Sequence, residues 1–255
     1  MSRVEQKEIK SNPATKFLQW KTIKEVVSID GDEVEKIKGG TFVYWDKENS
    51  KNVEIKLPFE FAILNNDLVT IKGYDEKNKR GIYSNEVKDP NHVLNVRAKD
   101  EKLLSFKLSE YKVNKDALAG FGAKYCRSCY IAVKNEAGEW EIMNLNLSGS
   151  MLTGAVDQDN PEPDSKEDGW FNFTKVNKSK LYTNFIVASG FKPKKKGQSR
   201  FTIGVLEIGA EISEEDSQKL NELDTQLNEY LAFYFDRPEV VKDEKVPEDE
   251  DVTDY

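Results

Sequence analysis

Two stretches rich in β-branched and aromatic residues, Leu181-Tyr-Thr-Asn-Phe-Ile-Val-Ala-Ser189 and Arg200-Phe-Thr-Ile-Gly-Val-Leu-Glu-Ile208, set the fold class of this chain. The segment between them, residues 190–199, is polar and contains glycine and proline. Apolar runs of this composition separated by turn residues are typical of a β-hairpin. We therefore predict two strands joined by a loop at 190–199.

The same pattern recurs along the chain upstream of this hairpin. Residues 41–45 and 53–57 flank a polar turn, as do residues 125–133 and 140–147. Further short strands are predicted at 59–64, 68–73, 82–85, 93–97 and 103–108. Single-domain β-barrels often have about the length of this chain of 255 residues. The sequence therefore predicts one mainly β domain, an antiparallel barrel with extra hairpins, over residues 17–210.

One amphipathic helix is predicted after the β domain, over residues 211–237. Ser213 precedes three acidic residues, which is typical of a helix N-terminus. Apolar residues then recur at intervals of three and four, namely Leu220, Leu223, Leu227, Tyr230, Leu231 and Tyr234. Such a stripe has to be covered. It either docks on the β domain or pairs two copies of the chain in a homodimer through Leu220, Leu223, Leu227 and Leu231.

Charge is distributed unevenly along the chain. Residues 211–255 carry 16 acids and 4 bases, and because the whole chain has a net charge of −8, residues 1–210 have a net charge of +4. The last thirteen residues hold seven acids and one base. We predict a flexible N-terminal arm at 1–16 and a disordered acidic tail at 238–255, since neither has enough apolar residues to fold.

The densest group of bases lies in the loop expected at 190–199. It contains Lys192, Lys194, Lys195 and Lys196, with Arg200 directly after it and Phe191 before them, and no acid. Clustered cations bind phosphates, and flanking aromatic rings stack on bases. The alternative is a solubilising turn whose lysines protect the edge of an apolar hairpin.

Two other segments mix bases with aromatic residues. One contains Tyr74, Arg80 and Tyr83, and the other contains Lys124, Tyr125 and Arg127. Tyr125 and Arg127 are two residues apart on a predicted strand, so they are expected to share a face and to offer a ring beside a guanidinium. Ordinary solvated hairpin ends have the same composition.

Several kinds of chemistry have no support in the sequence. It lacks a phosphate-binding G-x-x-x-x-G-K-[ST] loop, and its single histidine, His92, has no evident catalytic partners. Cys126 and Cys129 form a C-x-x-C, but they lie in a predicted strand and no second ligand pair exists for zinc. We expect no enzyme activity, no cofactor and no metal. No apolar run is long enough to cross a membrane, so we expect a cytoplasmic protein.

The end of the sequence carries a resemblance. A basic β body followed by an acidic tail with a terminal aromatic residue resembles the phage-type single-stranded DNA-binding proteins of replication. The stretches 11–17 and 81–87 also look like segments of tailed-phage proteins. The resemblance implies an OB-fold barrel that binds the strand and a tail that recruits a polymerase, helicase or primase. The tail role would fall on Glu248, Asp249, Glu250, Asp251, Asp254 and Tyr255, the last standing where the family more often has phenylalanine.

The resulting hypothesis is sequence-independent binding of single-stranded DNA in phage replication, recombination and repair. The tail would compete with DNA for the basic groove and be released when DNA binds. Two alternatives stay open. The chain is a phage interaction or virion-associated protein whose acidic tail docks a basic partner, or it is a mimic of DNA that inhibits a host enzyme.

Overall fold

A computed structural model of the chain describes residues 11–29, 32–155 and 168–236. These residues form eleven strands and four α-helices, with a 3₁₀ turn at Leu108–Glu110. The strands are β1 (Lys16–Ile29), β2 (Asp32–Asp46), β3 (Lys51–Glu54), β4 (Phe59–Asp75), β5 (Arg80–Ser84), β6 (Val93–Ala98), β7 (Glu101–Lys107), β8 (Ala123–Lys134), β9 (Trp140–Ser148), β10 (Asn184–Lys196) and β11 (Ser199–Glu211). The helices are α1 (Tyr111–Gly120), α2 (Gly149–Thr153), α3 (Trp170–Val176) and α4 (Glu214–Phe235). The expectation of a mainly β chain with one long C-terminal helix is confirmed.

The strands form one large open sheet in the order β3-β2-β1-β9-β8-β4-β5-β6-β7, with β10 added to the start of β4 and β11 added to β10. Strand β4 organises this sheet because its 17 residues pair with β10, β8 and β5 in succession. All pairs of neighbouring strands are antiparallel except β1 with β9, which is parallel. The expected antiparallel barrel is therefore wrong, since the sheet is mixed and does not close.

The sheet does not close into a barrel at the free edge of β11. This edge contacts side chains of β1 and does not pair with the backbone of β1. The indole Nε1 of Trp20 donates to the carbonyl oxygen of Thr202 at 3.0 Å, and the Thr202 amide donates to Oγ1 of Thr22 at 2.9 Å. Gly40 on β2 permits this approach, because a Cβ there would lie 2.3 Å from Oγ1 of Thr202. Side chains of β1 thus satisfy backbone groups that a neighbouring strand would pair in a barrel.

The main hydrophobic core lies between the central strands and the β10–β11 hairpin. It includes the buried side chains of Leu18, Phe42, Phe61, Ile131, Leu145, Trp170, Ile186 and Ile203. A second core joins β4–β7 to α1 through Val69, Ile71, Ile82, Leu94, Val96, Phe106 and Leu118. We call the face of the sheet that carries both cores the inner face, and the opposite face the outer face.

Helix α4 packs on one end of the outer face. Ser213 caps it, since its Oγ accepts from the Asp216 amide at 3.1 Å, as the sequence predicts. Leu220, Leu227 and Leu231 are buried and Leu223 is partly buried, against outer-face residues that include Leu68, Tyr130 and Ile142. The docking alternative is therefore the one observed. A homodimer through these four leucines stays a prediction, and it would require them to leave the sheet.

Two predicted terminal segments fall largely outside the described residues. Of the expected arm at 1–16, residues 11–16 lie against the body: Ala14 is buried, and the Asn12 side chain donates to the hydroxyl of Tyr130 at 3.2 Å. Residues 1–10 and the whole tail at 238–255 lie outside the described part. Among the described helices, none is long and apolar enough to span a bilayer.

Candidate nucleic-acid interface

The basic segment expected in a loop forms the end of the β10–β11 hairpin, which we call the finger (residues 190–201). Lys192, Lys194, Lys195 and Lys196 are strand residues, and the turn is only Gly197-Gln198, with Gly197 at a φ of 60°. Lys194 pairs with Phe201 and Lys195 pairs with Arg200. Because paired residues point to the same face of an antiparallel sheet, the finger has two faces with different cations.

The face that carries Lys192 and Lys194 is engaged within the chain. The Nζ atoms of Lys192 and Lys194 lie 2.9 Å and 2.8 Å from the two carboxylate oxygens of Asp168. The side chain of Lys194 is only 9% exposed. Burial opposes ionisation of Asp168, but hydrogen bonds from Lys194 and Lys192 outweigh it and lower the pKa of the carboxyl. These two lysines therefore hold the finger against Asp168, which lies two residues before the start of α3.

The other face of the finger carries Phe191, Lys195 and Arg200. Phe191 is 41% exposed and alternates with Pro193 and Lys195 along β10, and Arg200 is exposed opposite Lys195. Lys196 is exposed beside the turn. This face combines a ring with cations, as the sequence predicts for the whole segment.

The three candidates on β8 divide between the two faces of the sheet. Tyr125 and Arg127 share a face as expected, but it is the inner face. There Tyr125 packs edge-on against Tyr111 with 5.2 Å between ring centroids, and burial raises its pKa. The guanidinium of Arg127 lies 5.5 Å from the ring centroid of Phe171. Lys124 is exposed on the outer face.

The candidates around the β4–β5 turn are separated in the same way. Tyr74 and Tyr83 lie on the outer face, where Tyr83 is 47% exposed. Arg80 lies on the inner face, hydrogen-bonded by its Nη1 to Glu101 and by its Nε to Asp75 at 3.3 Å. The hydrogen bond to Glu101 contributes most to raising the pKa of Arg80. The guanidinium of Arg80 is thus paired with two carboxylates.

The strand register brings together five outer-face residues on neighbouring strands. Lys124 of β8 pairs with Lys72 of β4, Lys72 with Tyr83 of β5, Tyr83 with Arg97 of β6, and Arg97 with Lys102 of β7. We call this set the basic row. It contains four cations, one aromatic ring and no acid, and it spans about 19 Å at the usual spacing of strands.

The basic row is costly for the fold. Like charges directly opposite each other destabilise a sheet by about 0.2–1 kcal/mol a pair, and the row contains two such pairs, Lys72 with Lys124 and Arg97 with Lys102. The chain has 46 acidic residues, yet none stands in the row. An anion bound along the row would relieve this repulsion.

Lys72 is the central cation of the row and the least solvated one. Burial lowers the pKa of its ammonium, and the attraction of Glu86 only partly opposes this. Its Nζ lies 5.1 Å from the ring centroid of Phe17, an exposed aromatic residue on β1. The row therefore continues into an aromatic ring on a strand that is distant in sequence.

Sequence reasoning identified Lys124, Tyr74 and Tyr83 but missed Lys72, Arg97 and Lys102. Each missed residue occupies one polar position in an alternating strand, which looks like an ordinary solvated position. The only sign of these residues in the sequence was the alternation of polar and apolar positions along each strand. It cannot reveal that these positions meet in one row, because the register depends on pairings between distant segments.

Other expected features carry less information about this site. Cys126 and Cys129 are buried strand residues on opposite faces, as predicted, and burial raises the pKa of both thiols. Within the described ranges, no three His, Cys, Asp or Glu side chains converge as metal ligands would. The tail residues Glu248, Asp249, Glu250, Asp251, Asp254 and Tyr255 lie outside those ranges.

Comparisons with models of protein families, with curated proteins and with solved structures find no match for this chain. Its function is therefore inferred from its own residues.

Proposed function

We propose that this chain binds single-stranded DNA without reading its sequence, in phage DNA replication, recombination and repair. The observation that carries the proposal is the basic row, four cations and a half-exposed tyrosine aligned across five strands with no acid among them. Ammonium and guanidinium groups neutralise phosphates whatever the base. Exposed rings stack on unpaired bases, which a duplex does not offer.

The finger supplies a second contact in this proposal. Phe191, Lys195 and Arg200 lie on the face that Asp168 does not hold, and Lys196 is exposed beside the turn. They would extend the path of the strand beyond the row. Lys192 and Lys194 contribute by fixing the finger in place.

We also propose kinship with the phage-type single-stranded DNA-binding proteins, with the sheet as an enlarged and open relative of their OB-fold. Support comes from the mainly β body, the outer face with its cations, and the acidic composition of residues 243–255. By this kinship the tail competes with DNA for the row. Once DNA displaces it, the tail recruits a polymerase, helicase or primase through Glu248, Asp249, Glu250, Asp251, Asp254 and Tyr255.

The test is binding of a labelled oligothymidylate to the full chain and to a form that ends at Lys242, each over a salt series. The four cations of the basic row alone predict that log K falls with log salt with a slope of about −3, and contacts with the finger would make the slope steeper. We expect the shorter form to bind more tightly. If neither form binds at low salt, the proposal fails, and the docking protein or the DNA mimic becomes the better description.

A further inference from the structure

Phe17 is an aromatic residue that the fold leaves half uncovered. It stands on β1 next to Leu18, whose side chain is fully buried in the main core, so the two point to opposite faces. Phe17 pairs in parallel register with Asn144 of β9 and lies on the outer face. Its side chain is 45% exposed. Fully burying a phenylalanine side chain contributes about 1.5–3 kcal/mol to stability, and the half-exposed side chain of Phe17 contributes only part of that.

Lys72 connects Phe17 to the basic row. The Lys72 ammonium lies 5.1 Å from the centroid of the ring, within the range of a cation–π contact. Lys72 pairs with Lys124 on one side and with Tyr83 on the other. The one exposed ring of β1 is thus in contact with the centre of the proposed phosphate track.

Packing does not account for Phe17. It belongs to none of the four clusters of buried side chains formed by the described residues. Leu18 and Trp20 fix β1 against the core from the other face. A polar residue at position 17 would leave those contacts in place.

We propose that Phe17 is a stacking site for one unpaired nucleobase, whose phosphate is bound by Lys72. This inference rests on the proposed function and adds a residue that its phosphate contacts do not include. A flat ring accepts any base, so the site adds affinity without sequence preference. A base held on Phe17 brings the backbone of the strand to the middle of the row, where like charges face each other.

The fold contains a matched control. Phe171 is 40% exposed and has its own cation–π contact, with Arg127 at 5.5 Å. Arg127 belongs to the inner face, away from the basic row. Phe171→Ala therefore removes a ring of the same kind and exposure from a place where no base is expected.

The experiment compares the affinity of full-length wild type, Phe17→Ala and Phe171→Ala for a labelled oligothymidylate over a salt series. Loss of one stacked base predicts that Phe17→Ala weakens binding by about 5- to 150-fold. The salt slope is expected to stay unchanged, because no charge is removed. Phe171→Ala is expected to bind within about twofold of wild type. Equal affinity of Phe17→Ala and wild type, or equal losses in both variants, overturns the inference.

A second variant keeps the test decisive if Phe17→Ala does not fold. Phe17→Trp preserves a stacking ring and adds a fluorophore, and wild type with its four tryptophans provides the background. We expect oligothymidylate to quench the fluorescence of Phe17→Trp more than that of wild type. Equal quenching contradicts a base on residue 17. If wild type does not bind at all, the proposed function fails; if wild type binds and residue 17 has no effect, only this inference fails.

Discussion

Lys72 and Lys124 stand directly opposite each other on neighbouring strands of the outer face, with no carboxylate in their row. Such a pair destabilises a sheet, and the burial that lowers the pKa of Lys72 adds to the cost. Costs of this kind are typical of functional sites, where the sequence departs from what the fold alone would favour. The pair therefore predicts a trade-off between stability and binding.

Replacing Lys72 by methionine is expected to raise stability and weaken DNA binding. The folded protein disfavours the charged ammonium, so removing the charge removes that cost, while methionine can keep contact with Phe17. We expect the midpoint of thermal unfolding to rise by about 2–4 °C, which corresponds to roughly 1 kcal/mol. The salt slope of oligothymidylate binding should become shallower by about 0.7, the value for one phosphate contact of a single strand. A lower midpoint for Lys72→Met would contradict this account of the row.

The same lysine predicts how stability changes at alkaline pH. Its pKa is lower in the folded protein than the usual 10.5, so the unfolded state binds the proton more readily. The free-energy cost of burying the charged ammonium is fully present below the folded pKa of Lys72. As the pH rises from that value toward 10.5, the ammonium loses its proton in the folded state and the protein becomes more stable. The gain in stability of Lys72→Met over wild type should therefore shrink as the pH rises through that window. Chemical denaturation at several pH values measures it, and a constant difference would show that Lys72 is not perturbed.

Replacing Asp168 by asparagine is expected to destabilise the finger. The change leaves the nearly buried ammonium of Lys194 without its carboxylate, at a cost of about 1–3 kcal/mol. Hydrogen exchange of β10 and β11 should rise more than exchange of β8. Similar exchange of the finger in both proteins would mean that the ion pairs with Asp168 contribute nothing.

Asp168 also predicts how stability changes at acid pH. Its pKa in the folded protein is below the usual 3.8, so its ion pairs stabilise the fold above that value. The contribution is lost as the pH falls below about 4 through the folded pKa. Wild type and Asp168→Asn should therefore converge in stability under acid conditions. Unfolding curves at pH 7 and at pH 3 measure this, and a difference in stability that does not shrink between the two pH values would contradict it.

The packing of α4 predicts the effect of Leu227→Ala. Leu227 is fully buried against the outer face, so truncation should cost about 2–5 kcal/mol. The loss should not depend on protein concentration, because the leucine contacts its own chain. A midpoint of unfolding that rises with concentration would instead support a dimer through the leucine stripe.

How far the sequence predicts this fold is clearest in the finger. Its strands were predicted, but the segment 190–199 expected as a loop contains only a two-residue turn at Gly197-Gln198, and its four lysines extend β10. Lysine and proline are uncommon in strands, so local composition favours a loop there. Pairing along β11 and the ion pairs with Asp168 outweigh that preference.

Helix α4 was predictable because its signals are local. Ser213 and the period of its leucines define it within a few residues. That the sheet stays open was not predictable in the same way. Whether a sheet closes depends on contacts between distant segments, such as Trp20 and Thr22 with Thr202. The basic row depends on four strand pairings, so its members look like isolated surface positions in the sequence.

The most direct test of the proposed interface is the salt dependence of oligothymidylate binding by Arg97→Gln, with Arg80→Gln as its matched control. Both variants lose one positive charge, but Arg97 belongs to the basic row, whereas Arg80 is paired with Asp75 and Glu101 on the inner face. We predict that Arg97→Gln reduces the salt slope by about 0.7, the value for one phosphate contact of a single strand, and that Arg80→Gln leaves it unchanged. The same slope in wild type and both variants, or an equal change in both variants, would show that DNA does not cross the basic row.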